Sequence, residues 1–329
     1  MAKFLVKRIA LSLLILFFVM FMIYALMYSL PTSYMETVAR EMAQKPGSKS
    51  AAEWLADLNA QYGMDKGVVQ GYFTWLKSAV KGEFGDSWFW TVPVVQKFKD
   101  VIWYSFVLGL VAFIFEVGIA VPLGVLAAKK QYSLTDYSVT VISLIGISLP
   151  TFFVATLYKM IFAVKLGWVD ISGMHSARLA ADPGTWAYFW DEAKHFFMPC
   201  LTLVTVSIGS LMRYTRTNML EVLNADYIRT ARAKGLSEGK VIGYHAFRNT
   251  LIPIVTILGG SLPGLFSGAL ITETLFGITG IGYVSYQSMI AGDIPFTMFY
   301  LAFISILTLL GNLIADVLYA VVDPRVRVN

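Results

Sequence analysis

Long apolar runs recur along this chain, separated by polar or charged stretches. A helix crosses the hydrocarbon core of a bilayer with about 20 mostly apolar residues. Six segments are long and apolar enough: Ile9 to Leu30, Val101 to Ala127, Tyr137 to Ala163, Phe196 to Met212, Leu251 to Thr272 and Pro295 to Val322. The fourth is the weakest, because Thr202, Thr205, Ser207 and Ser210 dilute it. The pattern predicts an all-α integral membrane protein with six transmembrane helices. The first run follows Lys3, Lys7 and Arg8, as a secretory leader would. Its apolar stretch exceeds a leader's core of about 7–15 residues, and no small-x-small cleavage pattern follows. It reads as a retained span.

Composition agrees. Of 329 residues, 57% are hydrophobic and 14% charged, whereas soluble domains carry about 25% charged residues. A chain this poor in charge cannot coat a water-facing surface, so lipid is its solvent. The formal charge of +5 suggests no nucleic-acid partner, because basic residues in such a chain report orientation first. The single cysteine, Cys200, excludes an intramolecular disulfide and a thiolate metal cluster. It reads as a small apolar residue in a span.

Short-loop Lys and Arg set the topology. With the N-terminus inside, the inner segments hold Lys3, Lys7, Arg8, Lys129, Lys130, Arg213, Arg216, Arg229, Arg232, Lys234, Lys240, Arg248, Arg325 and Arg327. The outer loop near 166–197 holds only Arg178 and Lys194, and the outer loop near 276–294 holds neither residue type. Both termini are therefore expected inside. The organisation that follows is a first span (1–30), an extracytoplasmic segment (31–100), a core of five further spans (101–322) and a tail (323–329). Within 31–100, Ala51 to Asn59 and Val68 to Val80 read as helical. Within the core, an inner loop over 213–250 is much longer than the other inner loops.

That loop contains an amphipathic pattern. Leu220, Leu223, Tyr227 and Ala231 recur at helical spacing, with Arg229, Arg232 and Lys234 off that line. Gly235 is placed to stop the helix, and a second short helix is expected after Ser237. An amphipathic helix at the inner surface serves either lipid or a partner's groove.

The residues decide between those uses. Asp226-Tyr-Ile-Arg-Thr-Ala-Arg-Ala-Lys-Gly-Leu236, then His245-Ala-Phe-Arg-Asn249 and Leu251-Ile-Pro253, resemble the cytoplasmic loop of binding-protein-dependent ABC importer permeases, in the oligopeptide and dipeptide branch. The family's Glu-Ala-Ala, three residues, Gly pattern falls on Arg229, Thr230, Ala231 and Gly235. Its later Ile-x-Leu-Pro falls on His245 to Arg248, which departs from it, and Pro253 comes five residues late. Further likenesses lie in Gly82-Glu-Phe-Gly-Asp-Ser87 with Val92-Pro-Val94, Leu123 to Ala128, and Ser148-Leu-Pro-Thr-Phe152. Gly268 to Phe276, Gly280-Ile-Gly282 and Gly292-Asp-Ile-Pro295 continue the series, with Thr279 where Pro is usual.

The resemblance implies a type I ABC importer permease in a bacterial cytoplasmic membrane, moving peptide. A second permease would complete the pore, two ATPases would sit on the inner loops, and an external binding protein would deliver cargo. Asp226, Arg229, Thr230, Ala231 and Gly235 would lie at the ATPase contact. Nickel, glutathione and some sugar importers share the branch, so the cargo is open at this point. This chain would bind no cofactor, with ATP and Mg held by the ATPases.

No enzymatic constellation competes. The nearest string to a phosphate-cradling loop, Gly235 to Val241, is one residue short, lacks the Mg-binding hydroxyl and follows no strand. His175, His195 and His245 are too scattered to suggest a metal site. A secondary transporter would be expected to carry internal repeats with broken helices, and the two halves show no clear repeat.

Four features remain. Glu116, in the second span, is costly in hydrocarbon and should face a cavity or partner, or be protonated; it is a candidate for the translocation path, with Lys159 as a possible partner. Gly260, Gly264 and Gly268 repeat every four residues and are expected near one face of the fifth span, packing it closely within the subunit or against a second permease. Trp88-Phe-Trp90 and Trp186-Ala-Tyr-Phe-Trp190 suit interfacial anchoring or docking of a binding protein. Asp316 lies near the inner end of the last span, within reach of water or Arg325.

Overall fold

The computed structural model describes residues 2–29, 32–45, 47–62, 65–176, 182 and 184–322. The expectations for Arg178, Arg325, Arg327 and the 323–329 tail lie outside them. The elements in chain order are α1 (Ala2–Tyr28), α2 (Thr32–Ala43), α3 (Ala51–Tyr62), α4 (Val68–Val80), α5 (Val94–Lys129), α6 (Leu134–Ser148) and α7 (Thr151–Tyr158, continued by a π-turn over Lys159–Lys165). There follow α8 (Trp186–Leu223), α9 (Asp226–Ala233), α10 (Glu238–Lys240, with a π-turn to Ala246) and α11 (Phe247–Ser261, with a 3-10 turn over Leu262–Phe266). The series ends with α12 (Leu270–Phe276), α13 (Ile281–Ile290) and α14 (Ile294–Val322). Among the described residues there is no strand. Among the described residues five segments are long and apolar enough to cross a membrane, and α6 with α7 makes a sixth if that bent pair counts as one span.

The chain divides into two compact units, Met1–Val101 with Val284–Leu309, and Ile102–Tyr283 with Leu310–Asn329. In the first, Met20 and Tyr24 of α1 are buried with Val38, Ala39, Leu58, Tyr72, Trp75 and Met298. The Tyr72 hydroxyl donates to the Phe17 carbonyl at 2.9 Å, giving its polar end a partner inside an aromatic cluster. α3 opens on a capping box: Ser50 N donates to the Glu53 carboxylate at 2.9 Å, and Glu53 N donates to the Ser50 hydroxyl at 3.3 Å. α3 and α4 cover the two segments expected to be helical. α2 was not foreseen.

In the second unit, α8 packs against α6 through small residues. A Cβ on Gly146 would stand 2.7 Å from the Thr205 carbonyl, and Gly209 lies equally hard against Ser143. Gly124 of α5 meets Met212 and Thr215 in the same way. Such contacts let backbones approach where lipid leaves little hydrophobic drive between helices. A bidentate ion pair then pins α6 to α8: Arg216 Nε and Nη2 donate to Asp136 at 2.5 and 2.8 Å. Asp136 is 2% exposed.

Three expected spans differ from what is observed. The third is broken, with α6 and α7 bent by 102°. Leu149 and Pro150 are both extended, at ψ 128° and 139°, because proline disfavours helix at the residue before it and has no N–H to continue the ladder. The fourth helix is far longer than Phe196–Met212; it reaches Leu223 and absorbs residues 213–223 of the expected loop. The fifth does not run to Thr272. It ends in the 3-10 turn, and the chain then passes Gly268 at φ +83°.

Gly268 therefore does not share a helix face with Gly260 and Gly264. A Cβ on it would stand 2.7 Å from the Gly282 Cα, so only glycine fits this approach. A Cβ on Gly264 would meet nothing within 4 Å. Gly260 does pack closely, since a Cβ there would lie 3.1 Å from the Ala315 Cβ and 3.5 Å from the Gly311 carbonyl on α14.

Candidate functional site

The inner-loop motif forms a separate short helix. At the end of α8 the Asn224 side chain donates to the Leu220 carbonyl at 2.9 Å, a local bond that competes with helix continuation. Ala225 is extended, at ψ 149°. α9 restarts with Asp226 in its first turn, where a negative charge suits the helix dipole. Thr230 Oγ1 donates back to the Asp226 carbonyl at 3.0 Å.

α9 ends in a Schellman motif. Leu236 N donates to the Ala231 carbonyl at 3.4 Å and Gly235 N to the Arg232 carbonyl at 2.9 Å. Gly235 sits at φ +76°, the left-handed conformation this cap requires. Arg232 bridges to Glu238 through Nε and Nη2, at 3.2 and 2.8 Å, tying α9 to α10.

This geometry sorts the motif. Ile228 and Ala231 are buried with Met219, Ala128, Val241, Ile242 and Ala246. Asp226, Tyr227, Arg229, Thr230 and Gly235 are exposed. Tyr227 therefore does not belong to the inward stripe expected of it. The break at Asn224–Ala225 resets the helical phase, and Ile228 takes the inward place. What results is a short helix anchored on two apolar residues, presenting polar groups outward.

Glu116 lines a cavity of about 520 Å³ walled by α5, α8, α11 and the following turn. Ser207, Ser210, Tyr214 and Ser261 contribute hydroxyls to it, and Phe113, Leu203, Val206, Ile257 and Leu265 contribute apolar wall. Ser207 lines the cavity with Glu116, and its hydroxyl donates to the Val204 carbonyl at 3.4 Å. Lys159 is not its partner, because its ammonium donates to the Leu275 carbonyl and lies 5.2 Å from the Phe276 ring centroid. A larger cavity of about 630 Å³ between α5 and α8 is apolar apart from Glu192 and Tyr104.

Two buried carboxylates escaped sequence reading, although both lie in segments that carry the resemblance. Glu273, 0% exposed, accepts from Ser105 Oγ at 2.7 Å, Ala269 N at 2.8 Å and Tyr283 N at 2.8 Å. A Cβ on Gly280 would stand 2.6 Å from the Glu273 carboxyl carbon. In the other unit Asp293, also 0% exposed, accepts from Ser87 Oγ, Trp88 N at 3.1 Å and Phe296 N at 3.3 Å. Burial pushes the Asp293 carboxyl above its usual range, against the pull of those hydrogen bonds. The available signal was an acidic residue beside turn glycines, Gly280-Ile-Gly282 and Gly292.

The tryptophan clusters divide. Trp88 is buried, Trp90 Nε1 donates to Ser288 Oγ at 2.9 Å, and Lys97 Nζ sits 3.9 Å from the Trp90 ring centroid. These two rings build the fold rather than a free surface. Trp186, Phe189 and Trp190 are exposed; Trp186 and Phe189 stack, and Trp190 meets both rings edge-on.

The structure also brings two histidines together around Asp191. His195 Nδ1 lies 2.8 Å from the Asp191 carbonyl, and its Nε2 is 3.3 Å from Asp170. His175 Nδ1 lies 3.9 Å from Asp191, and its Nε2 is 2.7 Å from the Tyr188 hydroxyl. Among the described residues no group of three His, Cys, Asp or Glu side chains has the geometry to hold a metal ion.

Long apolar helices, small-residue packing and a short polar helix on a buried base together define a multi-pass helical membrane protein. Residues 120–328 match the family described as binding-protein-dependent transport system inner membrane component, and residues 1–88 match the N-terminal region of such membrane components. The chain belongs to that family, with its type I importer permease architecture, and is a multi-pass protein of a bacterial membrane. It is similar to the oligopeptide transport system permease protein AppB of Bacillus subtilis (strain 168), 37% identical over 268 residues, 81% of this chain and 83% of that protein. It is 34% identical over 287 residues to the dipeptide transport system permease protein DppB of Escherichia coli (strain K12), covering 83% and 85%. The oligopeptide transport system permease protein OppB of Haemophilus influenzae is 33% identical over 279 residues, covering 84% and 86%.

Proposed function

We propose that this chain is a permease subunit of an ATP-driven peptide importer, forming half of a translocation pore with a second, related permease. Support for the cargo comes from relatives whose names specify oligopeptides or dipeptides. Both termini lie in the cytoplasm in this reading, as the Lys and Arg distribution indicates. An external binding protein delivers the peptide. Two ATPase subunits hold ATP and Mg, and this chain hydrolyses nothing.

The observation that carries the coupling role is the build of α9. Its buried side, Ile228 and Ala231, locks it to the inner ends of α5 and α8, while Asp226, Arg229, Thr230 and Gly235 stay exposed. A partner's closing motion applied to those groups reaches the spans as a push on a packed lever. ATP binding draws the loops of the two permeases together and turns the pathway from inward-facing to outward-facing. That is a coupling free energy between two sites, expressed through two arrangements of the spans.

Uptake of a labelled tetrapeptide and of labelled nickel, measured in parallel in cells with and without the gene, tests the cargo. Loss of peptide uptake alone is the expected result. Loss of nickel uptake alone would overturn the cargo and leave the coupling role standing.

A further inference from the structure

Among the residues lining the 520 Å³ cavity, Glu116 is the single charged one, and no lysine, arginine or histidine stands with it. The polar groups that share its cavity wall are neutral hydroxyls, and Lys159, named as a partner from sequence, is held at the Leu275 carbonyl. A carboxylate at membrane depth is costly unless a cavity or a cation compensates it. A structural role would be expected to supply that cation from a neighbouring span, as Arg216 does for Asp136. Here the carboxylate faces the cavity with no cation of this subunit in its wall, which leaves room for a cation that enters the cavity.

The rest of the wall narrows the choice. Ser210 and Tyr214 line the same cavity and bring hydroxyls to it. A carboxylate beside neutral hydroxyls matches a group with several N–H donors and one positive charge. The remaining surface is apolar except for Ser261, whose hydroxyl donates to the Leu258 carbonyl at 2.8 Å. The volume falls within the 300–1,000 Å³ usual for small-molecule sites.

Resting on the peptide reading above, we propose that this cavity is a subsite for the terminal ammonium of the transported peptide. Glu116 is its counter-ion, and Ser207, Ser210 and Tyr214 take its remaining donors. The α-amino group of a peptide ionises at about 7.7–8.0, so at neutral pH most molecules carry the charge the site needs. The peptide's variable side chains then lie along Phe113, Leu203, Val206, Ile257 and Leu265, which accept apolar bulk without distinguishing its shape.

The test is protection of a thiol placed in the cavity of the assembled transporter, using S261C in a C200A background. The rate of maleimide labelling is followed as a tripeptide with a free amine, its N-acetylated form, or nickel ion is added. The free-amine tripeptide should slow labelling at concentrations at least tenfold lower than the acetylated form, and E116Q should erase that difference while E116D keeps it. Equal protection by the two tripeptides, a difference that survives E116Q, loss of it in E116D, or protection by nickel alone would each overturn the subsite. If no peptide protects but cells still import peptide through this protein, the subsite falls and the transport reading stands. If cells import no peptide, both fall.

Discussion

The Ser105 hydroxyl donates to Oε1 of Glu273 at 2.7 Å while accepting from the Ile281 amide at 2.7 Å. One side chain of α5 thus serves the carboxylate of α12 and the first amide of α13. Glu273 itself satisfies the Ala269 and Tyr283 amides. Replacing Glu273 with alanine leaves these buried donors without acceptors, each costing about 1–3 kcal/mol. Glu273→Ala should lower the thermal unfolding midpoint of the detergent-solubilised protein by several degrees, and Glu273→Gln by less, because one acceptor oxygen remains. Equal midpoints for wild type and the alanine variant would sink this account.

Asp136 and Arg216 offer a second measurement. Asp136 is buried and Arg216 reaches it bidentately from the next span. Breaking a buried pair from one side costs about 3–5 kcal/mol, because the remaining charge is stranded. Asp136→Asn should sit toward the low end, since the Arg216 side chain is 26% exposed. Asp136→Asn with Arg216→Met should recover part of the loss in a double-mutant cycle of thermal stability. Strict additivity would mean the two groups do not interact.

The α9 cap separates folding from coupling. A Cβ on Gly235 meets nothing within 4 Å, so Gly235→Ala is opposed only by the backbone cost of φ +76°, about 1–2 kcal/mol. The assembled transporter should form and hydrolyse ATP, with peptide moved per ATP reduced several-fold. One residue inserted after Ala231 turns Arg232 and the Gly235 cap by about 100° relative to Asp226, Arg229 and Thr230, the rotation per residue of an α-helix. That variant should abolish coupled uptake. Normal uptake from the insertion variant would show that α9 is not the coupling element.

Asp293 makes a pH prediction. Burial raises its folded-state pKa above the usual carboxylate value, so folding favours the protonated form. The stabilising contribution is complete below about 4, the unfolded value, and is lost as pH rises through the raised folded pKa. Thermal midpoints of the wild type should therefore fall across that window upward from pH 4, relative to Asp293→Asn, which lacks the titration. Parallel curves for the two proteins would assign the dependence to another group.

The resemblance-bearing strings were legible, but not always for the right structural reason. Ser148-Leu-Pro-Thr-Phe152 reads as the middle of a span because hydropathy counts apolar residues and is blind to backbone direction. Pro150 was the signal that could have shown the turn. Tyr227 has the right spacing for an inward stripe only if α8 and α9 are one helix, and the Asn224 side-chain bond ends that continuity. Gly235, by contrast, was readable as a stop, since its conformational freedom is local and needs no neighbour to reveal it.

Charge poverty and apolar run length settle by themselves that this chain lives in a bilayer, because transfer free energy depends on composition over about 20 residues. Local chemistry likewise settles the end of α9 and the family's motif order. The tertiary structure alone decided that Lys159 serves a carbonyl while Glu116 stands without a cation. It also decided that Glu273 gathers donors from three segments, Asp293 meets Ser87, and Arg216 closes on Asp136. Each of these is an electrostatic fit over a few ångströms between residues far apart in the chain. Such energies depend on distance and burial, which sequence spacing does not carry.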